Sequence, residues 1–200
     1  MHPAAIGVKM HSGWGALVAV TNNSGRLEIL DRRRINVTVP GTPGAIQPYH
    51  HVENFKLEEA EEFLANCFAE STRLAQAAIR EVLDKLRANK FRVVGSAVVE
   101  ASGRPLPTLE KILLAHPLIH TAEGEFFREA FAQASQSQKI PTTKIGERDL
   151  EAHLQSAFPK SSAKLLQQIS TMGRIQGPPW TQDQKSATQA ALFLLAKRQR

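Results

Sequence analysis

Two short apolar runs, Ala5-Ile6-Gly7-Val8-Lys9-Met10 and Trp14-Gly15-Ala16-Leu17-Val18-Ala19-Val20, flank His11-Ser12-Gly13. Runs of this length around a Ser-Gly pair predict a strand, a tight turn and a second strand. Thr21-Asn22-Asn23-Ser24-Gly25 is a further turn cluster. From Arg26 to Val39, Ile29, Ile35, Val37 and Val39 share one parity, and Arg32, Arg34, Asn36 and Thr38 share the other. This alternation predicts a third strand with one wet face. Asp31 and Arg33 interrupt the apolar parity, so the middle of this strand is expected to be bulged or at an edge.

Pro40 to Asn54 carries three prolines and two glycines and reads as a loop. From Leu57 to Ala88 the apolar positions recur at steps of three and four, the period of an amphipathic helix. Glutamates crowd its start and Lys85 and Arg87 its end, as the helix dipole favours, and a span of about 45 Å leaves room for a break near Ser71-Thr72. Phe91 to Glu100 is an apolar run of strand length, ended by Gly103, Pro105 and Pro107, and it reads as a buried parallel strand. A short helix over Leu109–Leu114, a helix over Gly124–Gln138 and a short strand over Ile140–Ile145 follow. Glu147–Phe158 and Ala163–Met172 read as amphipathic helices and Gly173–Trp180 as a loop, with Thr181 opening a last helix. Thr181 is its expected N-cap and Trp180 a hydrophobic staple.

Three strands joined by tight turns must be antiparallel neighbours. Later strands separated by helices should be parallel crossovers. The expected fold is therefore α/β, a mixed sheet of three antiparallel strands followed by parallel crossovers, with helices on both faces. No internal repeat or long linker divides the chain, so residues 1–200 are expected to form a single domain.

Composition narrows the classes. The 200 residues are 42% hydrophobic and 22% charged, a globular balance that excludes disordered, collagen-like and coiled-coil readings. A single cysteine, Cys67, excludes an internal disulfide or a cysteine-rich metal site and suits a reducing compartment. No run of 18 apolar residues suggests a membrane span, and the N-terminus lacks the apolar segment of a signal peptide, so a cytoplasmic location is expected. The net charge of +6 and pI of 9.7 permit an anionic partner such as nucleic acid, although many basic proteins have none. The Ala-rich middle of the long helix (Ala65, Ala69, Ala75, Ala77, Ala78) offers a face for a homodimer.

The element order and several short motifs resemble the ribonuclease H-like superfamily, in particular RuvC-type Holliday-junction resolvases. Ile6-Gly7-Val8-Lys9 followed by Gly13-Trp14-Gly15 resembles that family's opening strand and turn. Gly25 to Asp31 is similar to its third strand, and Ala97-Val98-Val99-Glu100 to the strand carrying its second carboxylate. Asp183 to Ala191 is similar to its last helix, which begins with acidic ligands. The resemblance implies a nucleic-acid-associated protein and carboxylates that hold two divalent cations, Mg²⁺ or Mn²⁺, for phosphodiester hydrolysis. Here Lys9 stands at the first carboxylate position and Ser186 at one acidic position of the last helix, with Asp183 one turn earlier. The set is therefore read as a degenerate, impaired two-metal nuclease site.

If catalysis survives, the resemblance implies Glu100 and Asp183 as metal ligands and Lys9 as a stabiliser of phosphate charge. The first alternative is a non-catalytic binding or assembly module in which Lys9 and Glu100 form a structural pair. The second is an actin-like nucleotide-binding protein, a family that grips phosphates at a Gly-rich turn after the first strand but carries an Asp where this chain has Lys9; in place of a nucleotide, Lys9 with the amides of Ser12 and Gly13 is a candidate anion and phosphate site.

Other constellations point less far. Arg32, Arg33, Arg34, Lys197, Arg198 and Arg200 are candidate phosphate contacts or solvated charge. Trp14 is expected to pack under the sheet. His50 and His51 beside Glu53 would point opposite ways on an extended segment, so a shared metal is not expected there. His116 and His120 have the four-residue spacing of a helical ligand pair, but Pro117 lies between them and no Glu follows His116, so the metallopeptidase motif is absent. A loop pair, or one histidine facing the cleft near Glu100, is the plainer expectation. Ser12 beside His11 lacks a nucleophile elbow.

Overall fold

The apolar run around Ile6 becomes the central strand of a five-stranded mixed sheet. The strands are β1 (His2–His11), β2 (Trp14–Asn23), β3 (Arg26–Asn36), β4 (Phe91–Glu100) and β5 (Thr142–Gly146), in the order β3-β2-β1-β4-β5. The first three pair antiparallel, while β1 with β4 and β4 with β5 pair parallel. The helices are α1 (Pro48–His51), α2 (Leu57–Ala88), α3 (Leu109–Leu113), α4 (His116–Ser137), α5 (Leu150–Ala157), α6 (Ser162–Thr171), α7 (Gly173–Gln176) and α8 (Gln182–Gln199). This computed structural model describes residues 1–23, 25–101 and 105–199, with side chains through residue 197. Ser24, Gly103 and Arg200, and the side chain of Arg198, named above as turn, strand-end and basic-tail residues, lie outside the described part.

Strand alternation divides the core. Ile6, Val8, Leu17, Ile35 and Val98 face α2 and α4, where they meet Ile79, Val82, Leu86, Phe127 and Phe131. Ala5, Val18 and Val20 face α8, meeting Ala187, Ala191 and Leu195, with Leu154, Leu165 and Ile169 of α5 and α6 packed outside. The sheet is thus covered on both faces, as expected. Gly7 permits this depth of packing: a Cβ on it would lie 1.9 Å from the carbonyl oxygen of Ala187.

The charged middle of β3 is explained by a bulge. Val20 pairs with Ile29 and Ala19 with Asp31, leaving Leu30 extra. One added residue reverses the facing of all that follow. Ile29 therefore packs on the α8 side and Ile35 on the α2 side, although their parity in sequence is the same. Asp31 and Arg33 face α2. Asp31 is 2% exposed and accepts from Arg33 at 2.8 Å, with Lys85 of α2 at 3.0 Å; Arg33 also reaches Glu81 at 2.9 Å.

Two expected boundaries are corrected. The long helix α2 runs unbroken through Ser71 and Thr72, both of which are buried. Helix α4 begins at His116 rather than Gly124, because Pro117 occupies the first turn, where a missing N–H costs no hydrogen bond. His116 and His120 are consequently on one helix face. Alanines 65, 69 and 77 of α2 are exposed, and Ala75 is buried in this chain's own core.

Two stability effects follow. Gly7→Ala should lower stability by about 3 kcal/mol, read as a shift of the urea midpoint, because the α8 backbone has to retreat; an unchanged midpoint would contradict the packing. Burial would raise the Asp31 carboxyl, but hydrogen bonds and charge from Arg33 and Lys85 outweigh it and hold the group below the usual carboxylate range. A depressed native value contributes stability above the unfolded value, which is lost as pH falls through the native one. Asp31→Asn should therefore cost about 2 kcal/mol at neutral pH, and the gap between variant and wild type should close as pH drops below about 4. A gap independent of pH would contradict the ion pair.

Candidate functional site

The C-terminal ends of the parallel strands lie side by side, and Lys9 stands near the end of the central one. It has the parity of Ala5 and Gly7, so its side chain emerges toward α8. Two carboxylates meet it there. Glu147 follows β5 immediately, opening a short turn of 3₁₀ helix, Glu147–Asp149, and its Oε1 lies 2.6 Å from Lys9 Nζ. Asp183, in the first turn of α8, places Oδ1 at 3.5 Å from the same nitrogen. Ser186 Oγ donates to Glu147 Oε1 at 3.0 Å and accepts from Gln182 Nε2 at 3.2 Å. Lys9 and Asp183 side chains are each 21% exposed, so solvent screens that pair less than a surface pair, while Glu147, at 36%, forms the solvent side of the cluster.

The position of Asp183 is set by the start of α8. Gln184 Oε1 accepts from the Thr181 backbone N–H at 2.8 Å, and Thr181 Oγ1 lies 3.3 Å from the Asp183 amide, the reciprocal pattern of a capping box. Trp180 donates through Nε1 to the Ile169 carbonyl at 2.7 Å. Arg32, emerging from β3 on the same face, donates to the carbonyls of Gln176, Gly177 and Pro179 at 3.1, 2.8 and 2.7 Å. The segment entering α8 is thereby tied to the sheet at one end and to α6 at the other.

A second row adjoins Asp183. His11 Nε2 lies 3.1 Å from Asp183 Oδ2. The His11 ring stacks on Trp14 with centroids 4.3 Å apart, and the Arg34 guanidinium lies 3.9 Å from the Trp14 ring centre. Trp14 is therefore half-buried between strand neighbours rather than packed under the sheet. Arg34 is exposed and forms no ion pair among the described residues, unlike Arg33.

Glu100 is elsewhere. Lys9 is in register with Val99, whose side chain packs among α8 residues, and Val98 packs toward α2 and α4. The next alternation turns Glu100 to the α4 side, where it lines an open cleft of about 690 Å³ with Pro117, Leu118, Thr121 and Arg148. The expected Lys9–Glu100 pair does not form; Lys9 takes Glu147 and Asp183 instead. Gly13 has a positive φ of 78° and its carbonyl accepts from the Val37 amide at 2.9 Å, so the Ser12–Gly13 turn is tied to the segment after β3.

Sequence reading brought Lys9 and Asp183 forward and missed Glu147 and His11. A carboxylate one residue beyond a parallel strand is a findable signal, since such strand ends converge. His11 had no such signal, because its value depends on a helix 172 positions away reaching it.

No protein-family model matches the chain, and no curated protein sequence matches it. Solved structures do. RuvC of Thermus thermophilus in complex with a Holliday junction substrate is similar over 98% of this chain and 96% of that one, with 14% identity and a TM-score of 0.57. A second Thermus thermophilus RuvC structure covers the same shares at 14% identity, with a TM-score of 0.55. The chain therefore has the ribonuclease H-like α/β fold found in RuvC.

Proposed function

We propose that the chain is a nucleic-acid-binding protein whose ancestral-type metal position is filled by its own Lys9 ammonium, leaving binding in place of hydrolysis. The observation that carries this reading is the Lys9 Nζ lying 2.6 Å from Glu147 and 3.5 Å from Asp183. A two-metal phosphodiesterase needs these oxygens for divalent cations. The residues present do not fit that pair: a fixed positive charge already occupies their electrostatic well, and Glu100 turns to the other face. No hydrolytic step is assigned to the cluster. Its chemistry is structural, since one cation bridging two carboxylates fixes the end of β1 to the end of β5 and the start of α8.

The binding surface proposed is Arg34 on Trp14, where β2 begins and β3 ends, beside the Lys9 and His11 groups that Asp183 already engages. Arg34 contributes an exposed cation on a rigid aromatic support, which suits a phosphate oxygen. The structural neighbour holding a Holliday junction makes branched DNA the first ligand to try.

Two measurements test the reading. Fluorescence anisotropy with a labelled four-way junction should show binding unaffected by EDTA, with Arg34→Ala weakening it and reducing the log–log salt slope by about 1. An unchanged slope, or no binding at about 50 mM salt, would remove the proposed surface. Lys9→Asp should confer a melting temperature that rises with Mg²⁺, while wild type stays flat and does not cleave the junction. A Mg²⁺-dependent cleavage by wild type that Glu147→Gln abolishes would overturn the substitution of metal by Lys9.

A further inference from the structure

Three of the chain's 7 histidines, drawn from two separate segments, meet at one point on the α2/α4 face, across the sheet from Lys9. His50 comes from α1, in the connection between β3 and α2, and His116 and His120 come from the first two turns of α4. A ligand nitrogen from each lies within 4.8 Å of the other two, and His116 Nε2 is 3.1 Å from His120 Nε2. A tetrahedral zinc with about 2.0–2.1 Å bonds to imidazole separates its ligand nitrogens by about 3.3 Å. The helical pair already has that spacing, and small rotations of half-buried and exposed rings bring His50 to it.

His50 is held as a ligand would be. Its Nδ1 lies 3.1 Å from Glu123 Oε1, and the same oxygen accepts from the backbone N–H groups of Tyr49 at 2.8 Å and His50 at 3.0 Å. A hydrogen bond donated from Nδ1 commits that nitrogen and leaves the Nε2 lone pair for a cation. Carboxylate–histidine–metal arrays orient their rings in this way. Glu123 is 5% exposed and one turn beyond His120, so the anchoring carboxylate and two of the ligands share one helix.

The geometry points to a site for a borderline transition-metal ion of the Zn²⁺ class, bound by His50, His116 and His120 and positioned through Glu123. Three imidazoles without a carboxylate in contact select Zn²⁺ over Mg²⁺ or Ca²⁺, which require oxygen ligands. His116 and His120 are exposed, so a fourth coordination position faces solvent and takes water or a small anion. Binding would also clip α1, and with it the long β3–α2 connection, onto α4. The site is independent of the Lys9 reading and lies on other elements.

The test uses tag-free, EDTA-treated and desalted full-length protein. Titration with Zn²⁺ should show uptake of one ion per chain and a melting temperature that climbs with Zn²⁺ as mass action requires. Co²⁺ should produce the visible absorption of a low-coordinate nitrogen site. His120→Ala, a change at an exposed position, should abolish both signals without altering the metal-free melting temperature, while His51→Ala should leave them intact. Glu123→Gln should weaken Zn²⁺ binding about 10- to 100-fold. Absence of stoichiometric uptake by wild type, or uptake unchanged in His120→Ala, would overturn the assignment.

Discussion

Because Gly7 has no side chain, the backbone of α8 lies against the central strand, with the Ala187 carbonyl where a Cβ would otherwise be. Much of the molecule depends on that approach. It sets the depth at which Ala187, Ala190 and Ala191 meet the sheet, and it brings the first turn of α8 level with the end of β1. Asp183 then falls beside Lys9 and His11. The capping box at Thr181 and the Arg32 contacts to the preceding loop hold that turn in place. Small residues, a cap and one arginine thus convert a packing constraint into the placement of a charge.

The charge is placed where parallel strand ends converge, the position at which α/β sheets gather functional groups. Three elements contribute there, and their contributions are of both signs. Glu147 and Asp183 would repel one another over a shared site if no cation stood between them. Lys9 supplies that cation from within the chain. Partial burial of Lys9 and Asp183 lessens the screening of their attraction, and the bond from Ser186 satisfies a second lone pair of Glu147. The same logic appears on the opposite face, where Asp31 is buried yet remains ionised because Arg33 and Lys85 both reach it.

Periodicity made the fold legible. Strand lengths, tight turns and helical spacing are local, and they suffice for the mixed sheet and its helix-covered faces; the resemblance to RuvC-type resolvases rests in addition on short motifs such as Ile6-Gly7-Val8 and Ala97-Val98-Val99-Glu100. The bulge in β3 was signalled by Asp31 and Arg33 on an apolar parity, although its consequence, Ile29 and Ile35 on opposite faces, needed the register. The start of α4 was misplaced because Pro117 reads as a stop unless it is allowed in a first turn. The Lys9–Glu100 pair of the binding-module alternative fails on register: Glu100 is nearest in the strand order, but it lies one residue beyond Val99, the partner of Lys9, and its side chain turns away. The three histidines failed differently. Within its own segment neither pair has a third ligand, and only tertiary structure joins His50 to His116 and His120.

On the proposed reading, the Lys9 ammonium stands where cations would sit in a two-metal nuclease. Diffraction from crystals soaked in Mn²⁺, collected for anomalous scattering, tests it most directly. The expected result is no anomalous peak between Glu147 and Asp183, with Lys9 Nζ still within hydrogen-bond distance of Glu147. Manganese bound by those two carboxylates, with the Lys9 side chain displaced from them, would contradict it.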